Sequence, residues 1–278
     1  MSAPAAPNRI DATFGRLRAA GQKGFVAYIG AGDPDLARTL ELALTLESAG
    51  VDILELGVPF SDPLADGPVN QAAASRALAA GATVSGVLDC VRALRVRSSL
   101  PVVLYTYLNP VYAFGFERFL QEAADAGVDG VLVLDLPPEE AGRNEELRLR
   151  PAALRMIRLI APTTPPERIA QIAGAAEGFV YYVSREGVTG EQNTVAASLG
   201  DQVAVIRAAT ELPIAVGFGI STPAQARQTA AFADAVVVGS AIVRQVADFG
   251  AAPDLAARIA AFVRPLVAAV KKDFRQQA

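Results

Sequence analysis

The sequence predicts a (β/α)8 barrel, on three observations. Eight short apolar runs recur from end to end, rich in β-branched residues or leucine and not cleanly alternating, which is how parallel strands covered on both faces read. Amphipathic stretches with helix caps lie between them. The length, 278 residues with 52% apolar and 19% charged, suits a barrel, whose usual size is about 250 residues. A doubly wound open sheet also alternates strands and helices, but a count of eight favours closure. No composition shift or linker divides the chain, so residues 1–278 are expected to form one domain.

The elements follow in order. Arg9–Ala20 reads as a helix ahead of the first strand, an addition to the minimal barrel. The expected strands are Phe25–Ile29, Ile53–Leu56, Val102–Tyr105, Val131–Leu134, Ile157–Ile160, Phe179–Val183, Ile214–Val216 and Ala235–Val238. Leu36–Ala49 has helical spacing and stops at Gly50, and Phe116–Ala126 stops at Gly127. Pro166–Ala173 begins with proline and is expected to end at Gly174. Thr222-Pro223 supplies a cap and a first-turn proline for Ala224–Ala231. The connection after the second strand is long and holds helices around Val69–Ala79 and Val84–Arg95. Ser184–Thr194 is polar, carries Gly187 and Gly190, and is long enough to act as a lid. Asp52, Asp129 and Asp234 each enter a strand after a helix end and a turn; they read as turn chemistry at the end of the barrel away from catalysis.

Composition removes several functions. The net charge is −4, which gives no basic surface for nucleic acid or anionic membrane. No apolar run approaches the roughly 18 residues of a membrane span, and residues 1–10 lack the pattern of a signal peptide. The single cysteine, Cys90, excludes an internal disulfide and reads as a small core residue; a reducing, cytoplasmic setting is expected. There is no histidine, so Ser-His-Asp and Cys-His catalysis and His-liganded metal are excluded. Proton transfer then falls to Glu, Asp, Tyr or Lys.

One segment concentrates acids in a rigid frame. Ile53, Glu55 and Gly57 share one face of the second strand, and Leu54 and Leu56 share the other. An acid among Ile and Leu is costly unless paired or protonated, and burial raises its pKa into the range useful for donating and accepting protons. Asp62 and Asp66 follow on a Pro/Gly-rich loop; each alone reads as a turn residue, but Asp66, with Gly67-Pro68 behind it, is the better partner for Glu55. Gly217-Phe218-Gly219 closes the seventh strand, and Gly239-Ser240 closes the eighth and opens a helix. Barrels often bind phosphate at these loops with a helix N-terminus. Tyr28, Tyr107 and Tyr181 lie at or just past strand ends, where aromatics either cap the core or wall a pocket for a flat ligand.

Together these motifs resemble the α subunit of tryptophan synthase, over roughly residues 14–270. The resemblance rests on Ala31-Gly32-Asp33-Pro34, Glu55 through Pro68, Asn109-Pro110, Leu134-Asp135-Leu136-Pro137, Ser184-Arg185, Gly187-Val188-Thr189-Gly190, Gly217 through Ser221 and Gly239 through Val243. It implies a lyase that cleaves indole-3-glycerol phosphate to indole and glyceraldehyde 3-phosphate by a retro-aldol step, without a cofactor or metal. It implies Glu55 as general acid/base and Asp66 as the carboxylate that stabilises positive charge near the indole N–H. It further implies Tyr28, Tyr107 and Tyr181 around the ring, and Thr189 in a mobile loop that it orders. Gly190, Phe218, Gly219, Gly239 and Ser240 become phosphate contacts. The implied partner is a pyridoxal-phosphate-containing β subunit in an α2β2 heterotetramer, with Pro59 and Asp62 at that contact. Ala27, Gly30 and Glu186 depart from the residues usual in the family. Two other readings remain. An epimerase or decarboxylase of the same architecture would usually want a metal site or a strand-end lysine, and Lys23, Lys271 and Lys272 all lie outside the strands. A non-catalytic subunit would be expected to lack Glu55 or Asp66, and both are present.

Overall fold

The computed structural model describes residues 8–143, 151, 153–183, 192–217 and 219–271. Its strands are β1 (Gly24–Gly30), β2 (Ile53–Gly57), β3 (Val102–Thr106), β4 (Gly130–Val133), β5 (Arg155–Met156), β6 (Arg158–Ile160), β7 (Val180–Val183), β8 (Ile214–Gly217) and β9 (Ala235–Val238). All neighbours pair in parallel, in the order β5-β4-β3-β2-β1-β9-β8-β7-β6. The two ends of this order are one chain segment, interrupted only at Ile157. The Ile157 N–H donates to the Val131 carbonyl at 3.0 Å. The expected fifth strand is therefore two short pieces, one paired with β4 and the other with β7, and the ring closes as a (β/α)8 barrel.

Alternation along each strand builds two cores. Val26, Ile53, Val103, Leu132, Ile157, Phe179, Ala215 and Val237 point inward and pack together. Phe25, Ala27, Leu54, Leu56, Val102, Leu104, Val236 and Val238 point outward onto the helices. The helix α1 (Arg9–Ala20) belongs to the inner core. Ile10, Phe14 and Leu17 lie on one face and enter the barrel's lower end, where the Phe14 and Phe179 rings sit 5.7 Å apart. Asn8 caps this helix by accepting from the Ile10 N–H at 2.8 Å, and its amide donates to the Asp129 carbonyl at 2.8 Å. The extra N-terminal helix thus seals the end of the barrel opposite the expected site.

The three strand-entering aspartates secure that same end by one repeated arrangement. Asp52 accepts from the Phe25 N–H, Asp129 from the Val102 N–H and Asp234 from the Ile214 N–H, each at 2.8 Å. Each side chain therefore ties the start of its own strand to an N–H at the start of a neighbour. Cations complete the pairing: Arg16 and Lys271 on Asp52, Arg9 and Arg95 on Asp129, Arg207 on Asp234.

The long connection after β2 contains two helices, Pro68–Ala79 and Val84–Arg95, bent by 93° where they meet. Asn109-Pro110 lies inside a short helix, Leu108–Phe114. Two expectations need adjustment. The helix Pro166–Gly174 runs through Gly174 and ends on Ala175 in a right-handed turn; the left-handed turn comes later, at Gly178. A helix already begins at Gln192 and runs to Ala209, so the expected Ser184–Thr194 loop ends earlier than Thr194. Cys90 is buried, and burial pushes its thiol up to about 11, as suits an inert core residue. Among the described residues no single helix is long and apolar enough to cross a membrane.

Candidate active site

Glu55 sits at the centre of β2 with 0% of its surface exposed. The register sets Tyr28 of β1 on one side and Val103 of β3 on the other. Among the described residues neither carboxyl oxygen has a hydrogen-bond partner. Desolvation alone acts on it and pushes its pKa up to about 8, because an unpaired charge in an apolar interior is far less favourable than a neutral acid. At neutral pH the side chain therefore carries a proton.

Asp66 is placed by its own rigid loop. Its N–H donates to the Pro63 carbonyl at 3.0 Å, and its carbonyl accepts from the Gln71 side chain at 2.9 Å. Pro68 then opens the next helix at its first position, where a missing N–H costs nothing. That helix is anchored from the far side: Arg76 donates to both oxygens of buried Asp33, at 2.8 and 2.7 Å. Its small residue Ala73 packs against Tyr28. The Asp66 carboxylate takes a 2.8 Å hydrogen bond from the Tyr107 hydroxyl on Oδ2. Its Oδ1 takes longer ones from Asn70 (3.3 Å) and Tyr105 (3.4 Å). Burial raises its pKa and these three donors work against the rise.

Aromatic side chains join the two acids. Tyr28, Tyr105 and Tyr181 are each raised in pKa, first by burial and then by both Glu55 and Asp66. The Tyr28 and Tyr105 rings meet edge to face, 5.1 Å apart. Two glycines make room for the tyrosines. A Cβ on Gly57 would lie 2.2 Å from the Tyr28 hydroxyl, and one on Gly217 would lie 2.9 Å from the Tyr181 hydroxyl. The geometry repeats: Tyr28 pairs with Glu55 and Tyr181 with Ala215, and each ring leans over the glycine two residues further along. Tyr107 lies just past β3, packs on Phe60 at 5.5 Å, and accepts from the Ala65 N–H at 3.0 Å, so it fixes the loop as well as its acid. A cleft beside the end of β2 is lined by Tyr28, Gly57, Asp66, Asn70, Tyr105 and Tyr107, among others.

The structure thus brings together Glu55, Asp66, Tyr28, Tyr107 and Tyr181. Tyr105 and Asn70 join them without having been expected. Tyr105 was legible, since it faces inward two residues beyond Val103; Asn70, one turn into a helix, gave no sequence signal. Of the expected partner-facing residues, Asp62 is exposed, whereas Pro59 is buried and lines the cleft. Thr189, Gly190 and Phe218 lie outside the described residues.

The two loops expected to hold phosphate differ at their helix ends. Thr222 and Gln225 cap their helix reciprocally, with Gln225 also accepting from the Ser221 N–H at 2.8 Å. The helix Ser240–Phe249 follows Gly239 with no side-chain cap, so its first N–H groups are not taken by its own side chains. Gly219, exposed and in the left-handed conformation at φ 64°, lies on the neighbouring loop.

A closed (β/α)8 barrel with a neutral buried acid, a second carboxylate and an uncapped helix at the C-terminal ends of its strands defines a barrel enzyme of the acid–base type. Comparison with known proteins makes the class particular. Residues 14–271 match the family model described as tryptophan synthase alpha chain. The tryptophan synthase alpha chain of Geobacter sulfurreducens is 51% identical over 95% of this chain and 99% of its own. A crystal structure of tryptophan synthase subunit alpha from Legionella pneumophila str. Paris superposes with a TM-score of 0.86 at 40% identity, covering 95% of this chain and 99% of that one. A chain from a crystal structure of tryptophan synthase from M. tuberculosis gives 0.82 at 33% identity, over 95% and 99%. The chain belongs to the tryptophan synthase alpha chain family.

Proposed function

We propose that Glu55 is the general acid/base and Asp66 the charge-stabilising carboxylate of the family's reaction. The chain is a carbon–carbon lyase of the aldolase type, which cleaves indole-3-glycerol phosphate to indole and glyceraldehyde 3-phosphate in tryptophan biosynthesis. Scission needs a proton at ring carbon 3, stabilisation of the positive charge that then forms at the ring nitrogen, and removal of a proton from the neighbouring glycerol hydroxyl. Protonated Glu55 supplies the first. Its carboxylate then takes the hydroxyl proton as the carbon–carbon bond breaks and its electron pair returns to the ring. Glu55 ends as it began, and no external electron sink is needed because the protonated indole is one. Asp66 faces the developing cation, where its interaction strengthens toward the transition state. Tyr28, Tyr105, Tyr107 and Tyr181 wall the ring.

The observation that carries this reading is Glu55 itself: fully buried, without a hydrogen-bond partner on either oxygen among the described residues, and neutral at pH 7. Phosphate is assigned to Gly219, Gly239 and Ser240, supported by the uncapped helix end, with Gly190 and Phe218 as further contacts. Thr189 is assigned to the loop that covers the site. A tryptophan synthase β subunit is the proposed partner, in an α2β2 complex; exposed Asp62 is the stronger contact residue, since Pro59 is buried in the single chain. The whole chain is read as one cytoplasmic domain. Indole release from indole-3-glycerol phosphate by the Glu55→Gln variant tests the assignment: a correctly folded protein without turnover is expected, and near-normal turnover would sink it.

A further inference from the structure

Asn70 has a polar atom that nothing in the fold explains. Its side-chain oxygen is out of contact with solvent and has no hydrogen-bond partner among the described residues. Buried acceptors are rarely left unmet without a reason. The amide's orientation is fixed chemically, because its nitrogen faces Asp66 Oδ1 at 3.3 Å and an ionised carboxylate can only accept. The amide oxygen, bonded to the same carbon as that nitrogen, is thereby left as an acceptor beside Asp66 Oδ1. Asn70 lines the same cleft as Asp66, Tyr105 and Tyr107. The two Asp66 oxygens are also unequal. Oδ2 is held by a short bond from Tyr107, while Oδ1 has only the long contacts from Asn70 and Tyr105. The less strongly held carboxylate oxygen and the unpaired amide oxygen are therefore neighbours, on two residues that line one cleft.

We infer that the side-chain oxygen of Asn70 is a second acceptor for the indole ring N–H, acting beside Asp66 Oδ1. The inference rests on the reading that Asp66 faces that N–H. An amide oxygen is the negative end of a dipole, so it complements a cation at the ring nitrogen as the carboxylate does, without adding a charge that would repel Asp66. The contact tightens when ring carbon 3 is protonated, because the N–H then becomes more acidic. Asn70→Leu, close in size and without hydrogen-bonding atoms, is therefore expected to lower kcat more than it raises KM.

Two uncleavable ligands isolate the contact: indole-3-propanol phosphate, and its benzothiophene counterpart, in which sulfur replaces the ring N–H. Dissociation constants for both are measured with the full chain, with Asn70→Leu, with Asp66→Ala and with the double variant, after circular dichroism has established that each is folded. The wild type should prefer the indole ligand. Asn70→Leu should reduce that preference about fivefold, and the double variant should reduce it below that of Asp66→Ala alone. An unchanged preference in Asn70→Leu overturns the inference. So does an effect that disappears in the Asp66→Ala background, since Asn70 would then act only by holding Asp66. A preference that survives Asp66→Ala but falls in Asn70→Leu overturns the Asp66 reading instead and leaves Asn70 as the acceptor.

Discussion

The two ends of the barrel treat carboxylates in opposite ways. At the lower end Asp52, Asp129 and Asp234 each accept from a strand N–H and pair with cations. At the upper end Glu55, as buried as Asp129, has no hydrogen-bond partner on either oxygen among the described residues. Satisfied acids hold strands together; the unsatisfied one keeps its proton and can deliver it. Burial alone does not separate structural from chemical carboxylates in this fold. The supply of donors does.

The strongest test of that contrast exchanges charge for amide at the upper end. Glu55→Gln should lower the rate of indole release by a factor of about 10³ or more, the scale of a lost general acid/base, while thermal unfolding shows no loss of stability. At the lower end the pattern should reverse. Asp129→Ala strands Arg95, only 12% exposed, and frees the Val102 N–H. It should cost about 3 kcal/mol of stability in urea unfolding while the protein that remains folded keeps its kcat. A large loss of kcat with unchanged stability would erase the distinction between the ends. Asp66 lies between the extremes, half-buried and with donors from Tyr107, Asn70 and Tyr105. Asp66→Asn should lower kcat by about 10² with a smaller change in KM; an effect on KM alone would reassign it to ground-state binding.

Smaller effects should come from the glycines that seat the tyrosines. Gly57→Ala forces the Tyr28 hydroxyl away, and activity should fall about tenfold. Adding Tyr28→Phe removes the nearest clashing atom but leaves the ring carbons Cζ and Cε2 2.7 and 2.9 Å from the new Cβ, so it should recover only a small part. Full recovery would mean that the hydroxyl alone carries the clash. The last effect, spread over several pH units, is a pH dependence of stability. The unfolded chain loses the Glu55 proton near 4.5, whereas the folded chain holds it to about 8. Between these values the folded state binds the extra proton, so the wild type loses stability as pH rises. Glu55→Gln does not titrate, and its stability relative to the wild type should climb through that window by at most about 1.4 kcal/mol per pH unit, with no further slope on either side.

Much of this was legible in the sequence, for identifiable reasons. The barrel followed from strand runs whose two faces are both apolar, and Glu55 stood out because an acid interrupts such a run between Leu54 and Leu56. The aspartates at strand entrances were readable from their recurring position after a helix end and a turn. Their partners were not, because Arg95 and Lys271 reach them from helices distant in sequence. The break at Ile157 was hidden because it arises from a change of pairing neighbour rather than from a residue type. Asn70 was invisible for a similar reason. Its chemistry depends on which atom of its amide Asp66 occupies, and only the three-dimensional arrangement specifies that.

The central claim, that Glu55 is a neutral acid at working pH because the barrel offers it no donors, has a direct test. Infrared difference spectroscopy of the carboxyl stretch, wild type against Glu55→Gln, reads the protonation state of this one group. The account predicts a protonated-carboxyl band at neutral pH that disappears with a midpoint near 8 and is missing from the variant. An ionised Glu55 at neutral pH, with no such band to lose, would contradict it.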